Sequence, residues 1–120
     1  MMSEQGGIPI VNESVMTAVQ TFMRTLLDHR IAVRFGVVFG SQATGQADEW
    51  SDIDLLVVSP HFDGERRRQD VDLLWRLAAR TDSRIEPIPC GERQWVEDTA
   101  SAIVEIARRE GERITLEESI

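Results

Sequence analysis

The sequence predicts a small α/β (α+β) domain, a β-sheet with helices packed on it. Three observations carry this. Apolar residues recur at spacings of three and four from Asn12 to about Arg30, the period of a helix. Ile53 to Ser59 (IDLLVVS) is a nearly continuous apolar run of strand length, as in strands covered on both faces. Helical and strand patterns alternate along the chain in the order α-β-(short α)-β-α-β-α.

Taken in turn, residues 1–9 read as a loose tail, because Gly6, Gly7 and Pro9 break any regular pattern. The domain proper is expected to span 10–120. In the first helix Val15, Val19, Phe22, Met23, Leu26 and Leu27 share one face, and Asn12 or Ser14 can cap its start. A strand follows from Ala32 to Phe39, rich in β-branched and aromatic residues. Gly40-Ser41 ends it, and residues 41–51 have room for one helical turn and a loop. Pro60 stops the strand 53–59. A second amphipathic helix is expected from Gly64 to Arg80, with Val71, Leu74, Trp75, Leu77 and Ala78 inward. Thr81-Asp82-Ser83 is a turn. Arg84 to Cys90 (RIEPIPC) reads as a short strand, placed at a sheet edge because Pro87 and Pro89 cannot donate ladder hydrogen bonds. A last helix is expected from about Glu92 to Arg109, with Trp95, Val96, Ala102, Ile103, Ile106 and Ala107 apolar and Gly111 ending it. Arg113 to Leu116 can form a terminal strand.

Composition excludes several roles. The chain has 120 residues, 13 basic and 21 acidic, for a net charge of −8, and all its basic residues are Arg. That balance argues against generic nucleic-acid binding, which needs a basic footprint. No apolar run approaches the ~20 residues of a membrane span, and MMSEQGGIPI lacks the features of a signal peptide. A lone cysteine, Cys90, suits a reducing, cytoplasmic setting.

The chemistry concentrates in Gly40-Ser41 and in Asp52-Ile53-Asp54, with ten residues between Ser41 and Asp52. Strand side chains alternate faces, so Asp52 and Asp54 point the same way. Two ionised carboxylates ~4 Å apart repel by about 4 kcal/mol at an effective dielectric near 20. A proton or a cation between them relieves that repulsion. Mg²⁺ binds through one or two carboxylates plus substrate phosphates, and a third carboxylate on a neighbouring strand would complete a two-metal clamp. Glu86, in the RIEPIPC strand, is the candidate. Gly40 lets a phosphate approach the backbone. Ser41 is expected to cap the short helix and, with backbone N–H groups, to seat a phosphate.

The stretch FGSQATGQADEWSDIDLLVVS, residues 39–59, resembles the minimal nucleotidyltransferases of the DNA-polymerase-beta-like superfamily, with weaker similarity in RIEPIP and the last helix. The resemblance implies a small mixed sheet flanked by helices. It implies phosphate binding by Gly40 and Ser41, and Mg²⁺ binding by Asp52, Asp54 and Glu86, which are also the catalytic set. The implied reaction moves a nucleotidyl group, commonly AMP from ATP, to an acceptor hydroxyl. Many such proteins are paired with a helical HEPN-type partner as toxin and antitoxin, and neutralise it by binding or by AMPylating a Tyr. The expected partners are therefore a nucleoside triphosphate and a HEPN-type protein, with acceptor specificity supplied by a partner surface or a second copy of the chain. Two features depart from the family pattern: Glu86 where Asp is usual, and Thr44 where many members carry Arg or Lys. They motivate an alternative, a nucleotidyltransferase-fold binding module that neutralises its partner by stoichiometric complex formation.

Other residues invite plainer readings. Arg66-Arg67-Arg68 reads as a solvated helix face. Trp50 either stacks on a nucleobase or packs on the core, whereas Trp75 and Trp95 read as core. His29 and His61 read as surface or capping residues, and Cys90 as a buried structural thiol. The chain has no Tyr, so it is not its own target for Tyr modification.

Overall fold

The computed structural model describes residues 11–64 and 67–116. The expected tail and Arg66 lie outside the described residues. Helix α1 (Glu13–Asp28) starts at Asn12, whose side chain accepts a hydrogen bond from Val15 N at 2.9 Å. Val15, Val19, Phe22, Met23 and Leu26 are buried. Fully burying a side chain such as Phe22 contributes about 1.5–3 kcal/mol. Leu27, expected inward, falls past the edge of the stripe and is 44% exposed.

The chain then turns through Arg30, a non-glycine residue at φ 68°, and enters β1 (Phe35–Phe39). The strand is shorter than the Ala32 start predicted. Residues before Phe35 are held by single bonds rather than a ladder: Arg34 N donates to Val58 O at 2.8 Å, and Ala32 O accepts from Ser59 Oγ at 2.8 Å. A one-turn helix, α2 (Ser41–Thr44), and a loop lead to β2 (Ile53–Ser59), with the boundaries expected for it. A 3-10 turn at Pro60–Phe62 precedes α3 (Arg68–Thr81), and β3 (Ile85–Gly91) follows.

The expected last helix is two. α4 (Glu92–Glu97) and α5 (Ala102–Glu110) are separated because the Asp98 carboxylate accepts from Ala100 N at 2.7 Å and Ser101 N at 3.1 Å. That local alternative outcompetes the helical bonds, and Ser101 then caps α5 through Val104 N. Strand β4 (Glu112–Ile114) closes the described fold.

The sheet order is β3-β2-β1-β4. β1 runs antiparallel to β2 and β4, and β2 runs parallel to β3, so the sheet is mixed. On one face Val38, Ile53, Leu55, Val57 and Ile85 join the buried sides of α1 and α3. On the other, Val37, Phe39, Leu56, Val58 and Cys90 pack with Val104 and Ala107 of α5. Both faces of β2 are therefore covered, which explains its unbroken apolar run.

β3 is an edge strand, as its prolines require. Ile53 N donates to Arg84 O at 2.8 Å. In the alternating pattern of a parallel pair this turns the even-numbered residues of β3 towards β2 and the odd-numbered ones outward. Pro87 and Pro89 thus occupy positions whose donors would face away from the sheet.

Two aromatic expectations change. Trp75 is 46% exposed, on the flank of α3 rather than in the core. Trp95 is half-buried against the second face, edge-on to Phe35 at 5.5 Å. Val96 and Ile103, apolar members of the expected last helix, are exposed. Cys90 is buried as expected. No helix among the described residues is long and apolar enough to cross a membrane.

Candidate active site

Topology gathers the predicted residues at one end of the sheet. The antiparallel pairing of β1 with β2 sets Phe39 opposite Asp54, so Gly40 and Ser41 emerge beside the start of β2. The parallel pairing of β2 with β3 sets Asp54 opposite Glu86. Segments far apart in sequence, 40–42, 52–54 and 86, therefore meet at this end.

Gly40 is required there on two grounds. Its backbone sits at φ 75°, ψ −150°, a region essentially closed to residues with a side chain. A Cβ at this position would also overlap Asp54 Oδ2. The missing side chain lets the turn lie directly against the Asp54 carboxylate.

Ser41 is placed differently from expectation. Gly40 is the N-cap of α2 and Ser41 the first helical residue, with no side-chain capping bond. Capping falls to the backbone: Ala43 N and Thr44 N both donate to Gly40 O, at 3.0 and 3.2 Å. The Thr44 hydroxyl turns back onto the same oxygen at 3.3 Å. Gly45, left-handed at φ 78°, ends the turn and sends the chain back towards Asp52.

The three carboxyls interact. Glu86 stands opposite Asp54 across the β2–β3 pair, and its carboxyl interacts with those of both Asp52 and Asp54. Burial pushes the Asp54 carboxyl above the usual carboxylate range, the Asp52 charge pushes the same way, and the Glu86 hydrogen bond opposes them. Glu86 is raised as well, first by burial, then by the hydrogen bond and charge of Asp52 and by Asp54. Oxygens that compete for a proton in this way are suited to a shared cation. Among the described residues no group of three or more His, Cys, Asp or Glu side chains is already arranged to hold a metal ion. The fit to a divalent cation is thus one of donor chemistry: hard carboxylate oxygens on β3, on β2 and on the residue just before β2.

A profile of the family described as "Nucleotidyltransferase domain" matches residues 21–112, most of the chain and all of this site. The chain belongs to that family. In the nucleotidyltransferase domain, then, the end of the sheet built from Gly40, Asp52, Asp54 and Glu86 lies wholly inside the matched region. No curated protein matches the chain. Among solved structures, a protein from Sulfolobus solfataricus assigned as a nucleotidyltransferase is similar over 92% of this chain and 90% of that one, with TM-score 0.57 and 16% identity. At that identity the likeness concerns the fold.

The structure also shows what sequence reasoning overlooked. Gln42 is 4% exposed, and its carboxamide reaches the carbonyls of Ser51 and Asp52. A four-residue helix has no period from which an inward-facing polar residue could be read. Trp50, by contrast, is 81% exposed, which removes the core-packing alternative. Its backbone is fixed by Asp48, whose carboxylate accepts from Trp50 N at 2.9 Å and from Ser51 Oγ at 3.2 Å.

Proposed function

We propose that this protein is a Mg²⁺-dependent nucleotidyltransferase that moves AMP from ATP to an acceptor hydroxyl. The observation that supports this most is the convergence of Asp52, Asp54 and Glu86 beside the Gly40-Ser41 turn, inside a chain of this family. Gly40 admits the triphosphate to the backbone, and Ser41 offers a hydroxyl and an N–H to it. Asp52, Asp54 and Glu86 would hold the metal, which supplies charge neutralisation at the phosphates when bound. The acceptor oxygen forms a bond to the α-phosphorus, the bond to the β-phosphate breaks, and pyrophosphate leaves. The hydroxyl proton passes to a carboxylate oxygen of the same cluster. Positioning and electrostatics supply most of the acceleration in such transfers. Trp50 stands exposed two residues before Asp52, where its ring is open to a nucleobase.

The acceptor in this reading is a hydroxyl of a partner protein, with a HEPN-type toxin Tyr as the specific case. Calorimetry of the wild type with ATP should show binding only with Mg²⁺, and Asp52→Asn with Asp54→Asn should abolish it while the fold persists. Absence of Mg²⁺-dependent binding in the wild type defeats the reading. Labelled ATP incubated with a cell extract then looks for a labelled protein.

One observation favours the second reading, a stoichiometric binding module. Thr44 is neutral and its hydroxyl bonds to Gly40 O at 3.3 Å, so position 44 offers the phosphate side neither a positive charge nor a free donor. If the doubly substituted Asp→Asn protein still neutralises a partner in full, catalysis is dispensable.

A further inference from the structure

Among the described residues only two polar side chains are buried, Ser59 and Gln42. Ser59 serves its own corner of the fold, donating to Ala32 O at 2.8 Å and accepting from His61 N at 3.0 Å. Gln42 serves a different segment. Its Nε2 donates to Ser51 O at 3.2 Å and to Asp52 O at 3.3 Å, nine and ten residues along the chain. Only the nitrogen end of a carboxamide has hydrogens to offer two carbonyls, so the orientation of the side chain is fixed by its surroundings. A buried amide left without partners would be costly, which ties Gln42 to this arrangement.

The two carbonyls matter because of where they stand. Residues 45–52 contain no helix or strand. The ladder to β3 begins only with Ile53 N, which donates to Arg84 O. The Gln42 bonds therefore span from the helical turn at Gly40-Ser41 to the backbone carrying Asp52, just before that ladder starts.

We infer that Gln42 is a positioning residue for nucleotidyl transfer: it sets the distance between the phosphate seat and the carboxylate cluster. Gln42 acts through the backbone of Asp52. The inference rests on the functional reading of Gly40-Ser41 and Asp52/Asp54 given above. A displacement of ~1 Å in such an arrangement can cost about a hundredfold in rate.

Two variants test it. Gln42→Met keeps the volume and loses both donors. Gln42→Glu keeps the shape and sets oxygens against the two carbonyls. In the nucleotide-free protein, amide exchange at Ser51 and Ile53, whose N–H groups donate to Asp48 O and Arg84 O, should quicken about tenfold for the loss of bonds of this kind, with Phe35–Phe39 unchanged. In the transfer assay kcat should fall about ten- to a hundredfold and half-saturation should need more Mg²⁺, while the KM for ATP moves less. The ratio of Gln42→Glu to wild-type rate should rise on acidification, as the new carboxyl protonates and regains a donor. Unchanged exchange at Ser51 and Ile53 overturns the inference. So does exchange that quickens equally through β1, since Gln42 then only stabilises the fold, and so does looser local exchange with kcat and Mg²⁺ dependence intact. A wild type that binds no Mg²⁺-nucleotide defeats the functional reading, and with it the catalytic role of Gln42. The exchange data still decide whether the side chain holds the loop.

Discussion

The two ends of the sheet are built on opposite electrostatic terms. At the end where β2 and β3 finish, polar groups find complementary partners. Ser59 is satisfied by Ala32 and His61, Asp63 accepts from Arg93 N at 3.0 Å, and Arg34 pairs with Glu92 at 3.1 Å. At the end where those strands begin, three carboxyls face one another, and two of them are pushed up in pKa. A glycine in a backbone conformation closed to other residues lies against one of them. Local rules are obeyed at one end; at the other Arg84 pairs normally with Asp82 at 2.8 Å, but the three carboxyls break the rule, and such breaks concentrate at functional sites.

The contrast can be broken most severely at the carboxylates. Asp54→Asn keeps the shape and removes a charge, so we expect a stable protein whose transfer rate falls by about a thousandfold or more. Denaturation and a pyrophosphate-release assay measured side by side would show it, and a fully active variant would remove Asp54 from the chemistry. Gly40→Ala should come next, costing about 1–3 kcal/mol through the forced backbone conformation, as read from urea midpoints. A neutral result would mean that the turn relaxes freely.

Glu86→Gln sharpens the comparison through pH. The folded pKa values of Asp54 and Glu86 lie above their unfolded ones. Ionising them therefore weighs on the native state, and stability falls as pH rises from about 4 through the raised values. The variant should be more resistant to urea than the wild type at neutral pH, and the gap should close below about pH 4. A gap independent of pH would contradict the cluster described. The smallest effect belongs to the far end. Arg34→Ala removes an exposed ion pair and should change stability by about 0–1 kcal/mol, without altering nucleotide binding. A larger loss would show that the far end is not the relaxed one.

Much of this was legible in the sequence, for identifiable reasons. The period of Val15 to Leu26, the apolar run of β2 and the prolines of β3 each follow from a strong local rule. Asp52, Asp54 and Glu86 could be placed because strand alternation and a parallel neighbour fix their faces. The break at Asp98 was hidden, since Trp95, Val96, Ala102 and Ile103 keep an apolar rhythm across it. Only the Asp98 side chain, bonding to backbone just ahead of it, interrupts the helix. The error at Ser41 was one of register: the cap is Gly40, whose special backbone angles no spacing reveals. Gln42 depended on a contact across the turn that exists only once the sheet has formed.

The outward-facing prolines of β3 bear on how anything reaches the carboxylates. Recognition by strand addition relies on main-chain donors offered along a free edge. Pro87 and Pro89 withdraw two of them in succession, immediately beyond Glu86. A polypeptide cannot zip onto that side as a fifth strand in full register. Under the proposed function, a polypeptide acceptor would then present its hydroxyl on a loop or a helix. On that reading, a folded acceptor would suit this edge better than an extended, unstructured one.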